Sequence, residues 1–320
     1  MKNIRRYLVH RLNLTTVIKI FVLNIILVLP FSATATAAEL LKPFYLSKVV
    51  SGVLQEQAIT TKKQLTDAGF TVVGEYSPYP SVVILLVTNK ALSDAAKQTP
   101  YGIFGVVQRV TLTQDNKDVQ IAYTNPTYYS HAYRMKSDLT QVSALLQKTL
   151  GMKQAYGSDK GLTSEKLRDY QYKWLMPYFY DRLNLAEYKT HEEAIAGVEK
   201  ALKAGKGETS KVARIDLEGT KSSLFAVTMK GATDETECSG DDYIMKQIDF
   251  KKLRSTGHLP YEIAVVDNKV YALPAEFRIA ISFPDLSMMG SNSFASIMCA
   301  PSAIETALTF AAGGTLDEDD

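Results

Sequence analysis

Ile103-Phe104-Gly105-Val106-Val107-Gln108-Arg109-Val110-Thr111-Leu112-Thr113-Gln114-Asp115-Asn116-Lys117-Asp118-Val119-Gln120-Ile121-Ala122-Tyr123-Thr124-Asn125-Pro126 is the stretch that decides the fold. Residues 103–113 and 119–123 are rich in β-branched and aromatic side chains, and the turn formers Asp115-Asn116 lie between them, so the stretch reads as a hairpin. The pattern returns later in the chain. Runs at 261–266 and 270–282 meet at Asp267-Asn268-Lys269, echoing Asp115-Asn116-Lys117. Both returning strands end at a proline, Ile121-Ala122-Tyr123-Thr124-Asn125-Pro126 against Ile279-Ala280-Ile281-Ser282-Phe283-Pro284.

Outward from the first hairpin, 44–50 is extended and 54–68 is helical with Gly69 placed to stop it. Strands at 72–76 and 82–88 are separated by Ser77-Pro78-Tyr79-Pro80, which cannot continue a ladder, and a short helix at 90–97 follows. A helix at 138–150 closes the half, with Leu139, Val142, Leu145, Leu146 and Leu150 at helical spacing. The second hairpin is framed in the same way by a helix at 192–204 with Gly205 at its end, strands at 212–217 and 224–229, and helices at 243–250 and 302–311. The shared order, β-α-β-β-α-β-β-α, predicts an α+β protein with an internal duplication, its two similar units at 39–155 and 191–314. Between them, at 156–190, lies a connector whose residues 164–183 are helical in pattern and dense in aromatics: Tyr170, Tyr172, Trp174, Tyr178, Phe179 and Tyr180. This belt reads as packing between the halves or as an aromatic ligand wall, and Pro177 limits its helix. Residues 315–320 form an acidic tail.

The start of the chain has the three parts of an export signal. Lys2, Arg5, Arg6 and Arg11 make a basic stretch, 17–31 is apolar but shorter than the roughly 20 residues that span a bilayer, and Ala33, Ala35, Ala37 and Ala38 supply small side chains for cleavage. Residues 1–38 are therefore expected to be a cleaved signal peptide, the alternative being an uncleaved tether, and the protein to be periplasmic or secreted. No stable membrane anchor is expected after cleavage. Of 36 basic residues, five fall in this segment, leaving 31 against 34 acidic ones, so no basic footprint for nucleic acid remains. Export makes a disulfide between Cys238 and Cys299 a natural hypothesis beside that of two free thiols.

Several stretches resemble the family called domain of unknown function 302. They are the run 123–135, from Tyr123 through His131 to Met135; Gly161-Leu162-Thr163 with Leu167-Arg168; Met176-Pro177-Tyr178-Phe179; His258-Leu259-Pro260-Tyr261-Glu262; Lys269-Val270-Tyr271-Ala272; and Ser282-Phe283-Pro284-Asp285-Leu286. The resemblance covers nearly everything after the signal. It implies units in which helices pack on one face of a curved, mainly antiparallel sheet, and it implies no activity.

Familiar catalytic signatures are missing: no G-x-S-x-G elbow, no S-x-x-K pair and no Gly-rich phosphate loop. His191-Glu192-Glu193 lacks the second histidine of a zinc motif, and the cysteines form no C-x-x-C, so the sequence points to no metal and to no particular cofactor. The candidate ligand-binding residues are Asn125, Tyr128, Tyr129, His131, Tyr133 and Arg134, a polar and aromatic cluster at a strand end, together with His258 and Glu262 around a Leu-Pro-Tyr turn. These residues suit a non-catalytic exported module that binds a small molecule or an exported protein partner. The alternative is an enzyme using His131 or His258 as general base with tyrosine or arginine partners.

Overall fold

The computed structural model describes residues 39–316, so the expected signal segment and residues 317–320 lie outside the described residues. In the first half, β1 (Phe44–Ser51), α1 (Leu54–Asp67), β2 (Thr71–Tyr76), β3 (Val82–Thr88), α2 (Lys90–Lys97), β4 (Gln108–Asp115), β5 (Asp118–Thr124), α3 (Pro126–Ala132), α4 (Thr140–Leu150) and β6 (Gln154–Tyr156) follow in turn. After α5 (Ser164–Arg168), the second half runs through β7 (Leu183–Glu187), α6 (His191–Lys203), β8 (Thr209–Asp216), β9 (Ser222–Met229), α7 (Asp241–Ile248), β10 (Tyr261–Val266), β11 (Lys269–Ala272), α8 (Ala275–Ser282) and α9 (Ala300–Ala311). The first sheet has the order β2-β3-β4-β5-β1-β6 and the second the order β7-β11-β10-β9-β8, with antiparallel pairing throughout. Read from β8, the second sheet repeats the order of the first without its edge strand β6.

The local chemistry read from the sequence accounts for these elements. Asn116 and Asp267 take φ 54° at the two hairpin turns, a left-handed conformation that short polar side chains tolerate, and Asp115 lies opposite Asp118 as Val266 lies opposite Lys269. Helix α1 buries Leu54, Ala58, Thr61 and Leu65, and α6 buries Ala194, Val198, Ala201 and Leu202, each set at helical spacing against its sheet. Gly69 and Gly205, both at positive φ, follow these helices and let the chain leave without a Cβ penalty.

Each sheet is covered on both faces. Every side chain from Val82 to Val87 in β3 is 0% exposed, which explains why that strand reads as a continuous apolar run rather than an alternating one. Helices take one face and the other half of the molecule takes the second, where Arg109 on β4 pairs with Glu262 on β10 and the hydroxyls of Thr113 and Thr256 lie 3.1 Å apart. The edge strands β2 and β8 approach closely at Gly74, where a Cβ would stand 2.9 Å from the carbonyl oxygen of Val212. No larger residue fits there.

Three sequence expectations are corrected. Residues 270–282 are not one strand: β11 ends at Ala272, Leu273-Pro274 breaks the ladder, and α8 follows. Because Phe277, Arg278, Ile279, Ala280 and Ile281 are all buried, this helix has no polar stripe to betray its period. In the two sheets Thr124-Asn125-Pro126 and Ala272-Leu273-Pro274 hold corresponding places, each opening a helix, α3 and α8. Residues 103–113 begin as a 3-10 turn, Gly102–Gly105, and become strand only at Gln108. The connector is not helical over 164–183; α5 stops at Arg168, and β7 pairs with β11, so the second sheet starts before residue 191.

Cys238 and Cys299 form a disulfide. It ties the 3-10 turn Glu237–Ser239 to the start of α9, and of the two alternatives the structure contains the bridge.

Candidate functional site

Four of the eight sequence candidates come together, but in the interior. Asn125 is fully buried as the cap of α3: its Oδ1 accepts from the amides of Thr127 and Tyr128, and its Nδ2 donates to the Lys42 carbonyl. The Tyr128 hydroxyl donates to the Ile281 carbonyl at 2.9 Å, fastening α3 to α8. Tyr129 lies 3.3 Å from the Ser282 hydroxyl, and Tyr133 accepts a hydrogen bond from Arg278 Nη1 at 3.0 Å. His258 is 0% exposed, with Nδ1 3.1 Å from the Ser282 hydroxyl and Nε2 3.1 Å from the Tyr261 hydroxyl. Glu262 forms ion pairs with both Arg109 and Arg278. Tyr129, Tyr133, His258 and Glu262 thus belong to one polar cluster between the sheets.

The electrostatics of this cluster follow from burial. Desolvation, then the neighbouring Arg278 and Arg109, holds the His258 imidazole well below its ordinary value, so it stays neutral between its two hydroxyl partners. Burial and the like charge of Arg278 push the Arg109 guanidinium down to about 10. Arg278 also donates to the carbonyls of His258 and Pro260, which fixes the turn that leads into β10 and Glu262. Two cations share one carboxylate in the buried interior, and carbonyl and tyrosine oxygens around them accept further hydrogen bonds.

His131 and Arg134 stay outside the cluster. His131 is half-buried, its Nδ1 without a protein partner, and desolvation followed by the charge of Arg168 lowers its pKa. Arg134, at φ 53°, donates to the Arg168 carbonyl and pairs with Asp169 at 2.7 Å on the surface. Sequence reasoning missed Arg109, Tyr261, Arg278 and Ser282. Arg109 and Arg278 stand in runs that read as core, and a buried arginine needs a partner.

The concave feature best suited to a ligand lies elsewhere. A cleft of about 570 Å³ opens between residues 154–159 of the first half and residues 248–255 and 283–292 of the second, and none of the eight candidates lines it. Tyr156, Phe250, Leu253, Phe283 and Leu286 make its apolar walls. At its rim Lys42 donates to the Asp159 carbonyl at 3.0 Å, while Lys251 pairs with Asp159 and, at 3.9 Å, with Asp285. Asp285 in turn accepts from the Ser158 hydroxyl and the Asp159 amide, so one network spans both halves.

Asp249, which ends α7, also lines this cleft and is 5% exposed. Its Oδ1 accepts from the Ser255 amide at 2.9 Å, and its Oδ2 has no partner in the protein. Burial, only partly opposed by that hydrogen bond and by Arg254, pushes its pKa up to about 7. Nearby, the Tyr156 hydroxyl donates to the Arg254 carbonyl at 2.8 Å, which holds the aromatic wall in place. Among the described residues no group of three or more His, Cys, Asp or Glu is arranged to hold a metal ion. No protein-family model, curated protein or solved structure was found to match the chain.

Proposed function

We infer that this is an exported, non-catalytic binding protein of the domain of unknown function 302 type, and that it holds a small ligand in the cleft between its halves. The observation that carries this reading is the cleft itself: apolar walls, a few convergent polar groups and a volume within the roughly 300–1,000 Å³ range of ligand sites. The common strand order of the two sheets supports an internal duplication, and a cleft at the seam of the two halves is where such a fold offers a concave surface. The disulfide is compatible with an oxidising compartment, in keeping with the basic, apolar and small-residue pattern at 1–38. For His258, burial and the engagement of both ring nitrogens weigh against service as a general base.

Ser291 is exposed and lines the cleft. A tryptophan there fills the opening without disturbing the core. Native mass spectrometry of the protein from its exported fraction is expected to show a small molecule on the parent chain, and Ser291→Trp is expected to lose it at least tenfold with unchanged circular dichroism. A parent chain that emerges bare, with a melting temperature unmoved by a metabolite panel, contradicts the reading.

A further inference from the structure

We propose that the cleft selects a small molecule with an apolar, aromatic-sized body and one protonated amine, the amine seated against Asp249. The inference rests on the binding role just described and names the chemical class of the ligand. Three observations carry it. The cleft lining holds three carboxylates, Asp159, Asp249 and Asp285, and two ammonium groups, Lys42 and Lys251, with Arg254 behind Asp249 rather than in the lining. Both lysines are engaged at the rim, Lys251 with two carboxylates and Lys42 with a carbonyl, so neither stands ready for an anionic ligand. Of the three, only Asp249 has a buried carboxylate oxygen without a protein partner, and it is the least exposed, beside the aromatic wall.

The wall suits the same ligand. Tyr156, Phe250 and Phe283 present rings that pack an apolar body and whose faces attract a cation. A buried carboxylate gains most from a partner that is itself charged and donates hydrogen bonds, because the pair offsets the desolvation of both. An alcohol of the same shape offers one neutral donor and gains less.

The class also predicts a direction with pH. The groups that face Asp249 are Arg254 and the Ser255 amide on its own loop, Tyr156 on β6 and Tyr79 between β2 and β3, with Lys42, Lys251, Asp159 and Asp285 at the rim. Burial raises both tyrosines, which therefore stay neutral near pH 7. Asp249, with its midpoint near 7, is mostly protonated a unit below and mostly ionised a unit above. An amine that needs the carboxylate is thus expected to bind about tenfold tighter at about pH 8 than at about pH 6.

The test is calorimetric titration of the full chain with 2-phenylethylamine, 2-phenylethanol and 3-phenylpropanoate at both pH values, on the parent and on Asp249→Asn. The expected result is an amine affinity at least tenfold above that of the alcohol, rising with pH in the parent, with both the preference and the pH dependence lost in Asp249→Asn while the alcohol still binds. Tighter binding of the carboxylate, or equal binding of amine and alcohol, overturns the inference and leaves the binding cleft standing. Failure of all three compounds overturns it too, and the molecule retained through purification then decides for the cleft separately.

Discussion

Glu262→Gln is expected to lower the unfolding free energy by about 3–5 kcal/mol, the usual cost of breaking a buried ion pair by removing one partner. Glu262 is the carboxylate that Arg109 and Arg278 share, and all three side chains are almost fully buried. Without its charge, two guanidinium groups face one another in the interior, and Arg278 already pushes Arg109 down to about 10. The Pro260 carbonyl, the His258 carbonyl and the Tyr133 hydroxyl remain as acceptors, but none of them carries a negative charge. Urea unfolding followed by circular dichroism measures the loss. A change under about 1 kcal/mol contradicts the view that this triad fastens one sheet to the other.

Cys238→Ser combined with Cys299→Ser is expected to cost about 4 kcal/mol, from the loop entropy that the bridge removes from the unfolded chain. The linked residues are 61 apart in sequence, a long loop for a single bridge. In the folded state the bridge ties the turn Glu237–Ser239 to the start of α9, a helix whose Ile304, Ala307, Leu308 and Ala311 are buried against the second half. Cys299 is exposed, so a reductant reaches the bridge without prior unfolding. The parent in reductant and the double variant should therefore unfold at the same lowered urea midpoint. Identical midpoints for oxidised parent, reduced parent and double variant contradict this account.

The long amphipathic helices were legible because each has one buried face and one wet one, and the two hairpins because β-rich runs flank the turn formers Asp115-Asn116 and Asp267-Asn268. Helix α8 was not legible. Its residues are buried on every side, so a helical run of Phe277, Ile279, Ala280 and Ile281 carries the same apolar signature as a core strand. Helix α3 was hidden for a related reason: Tyr128 and Tyr129 are buried with Pro126 at the first turn, and the cap at Asn125 looked like a polar site at a strand end. Tyr129, Tyr133, His258 and Glu262 do converge, yet the arginines that organise them, Arg109 and Arg278, sit within core strand and helix runs and carry no motif. The cleft left no trace in the sequence because its walls come from three segments far apart in the chain, and Asp249 is one carboxylate among many until folding buries it.

The central claim is that both halves build one ligand cleft. Backbone amide shifts of the isotope-labelled protein, titrated with a mixture of neutral, anionic and cationic aromatic fragments, test it most directly. Perturbations are expected together at 154–159 in the first half and at 248–255 and 283–292 in the second. Shifts confined to one half, or gathered instead around the exposed Trp174 and Leu175, would contradict it.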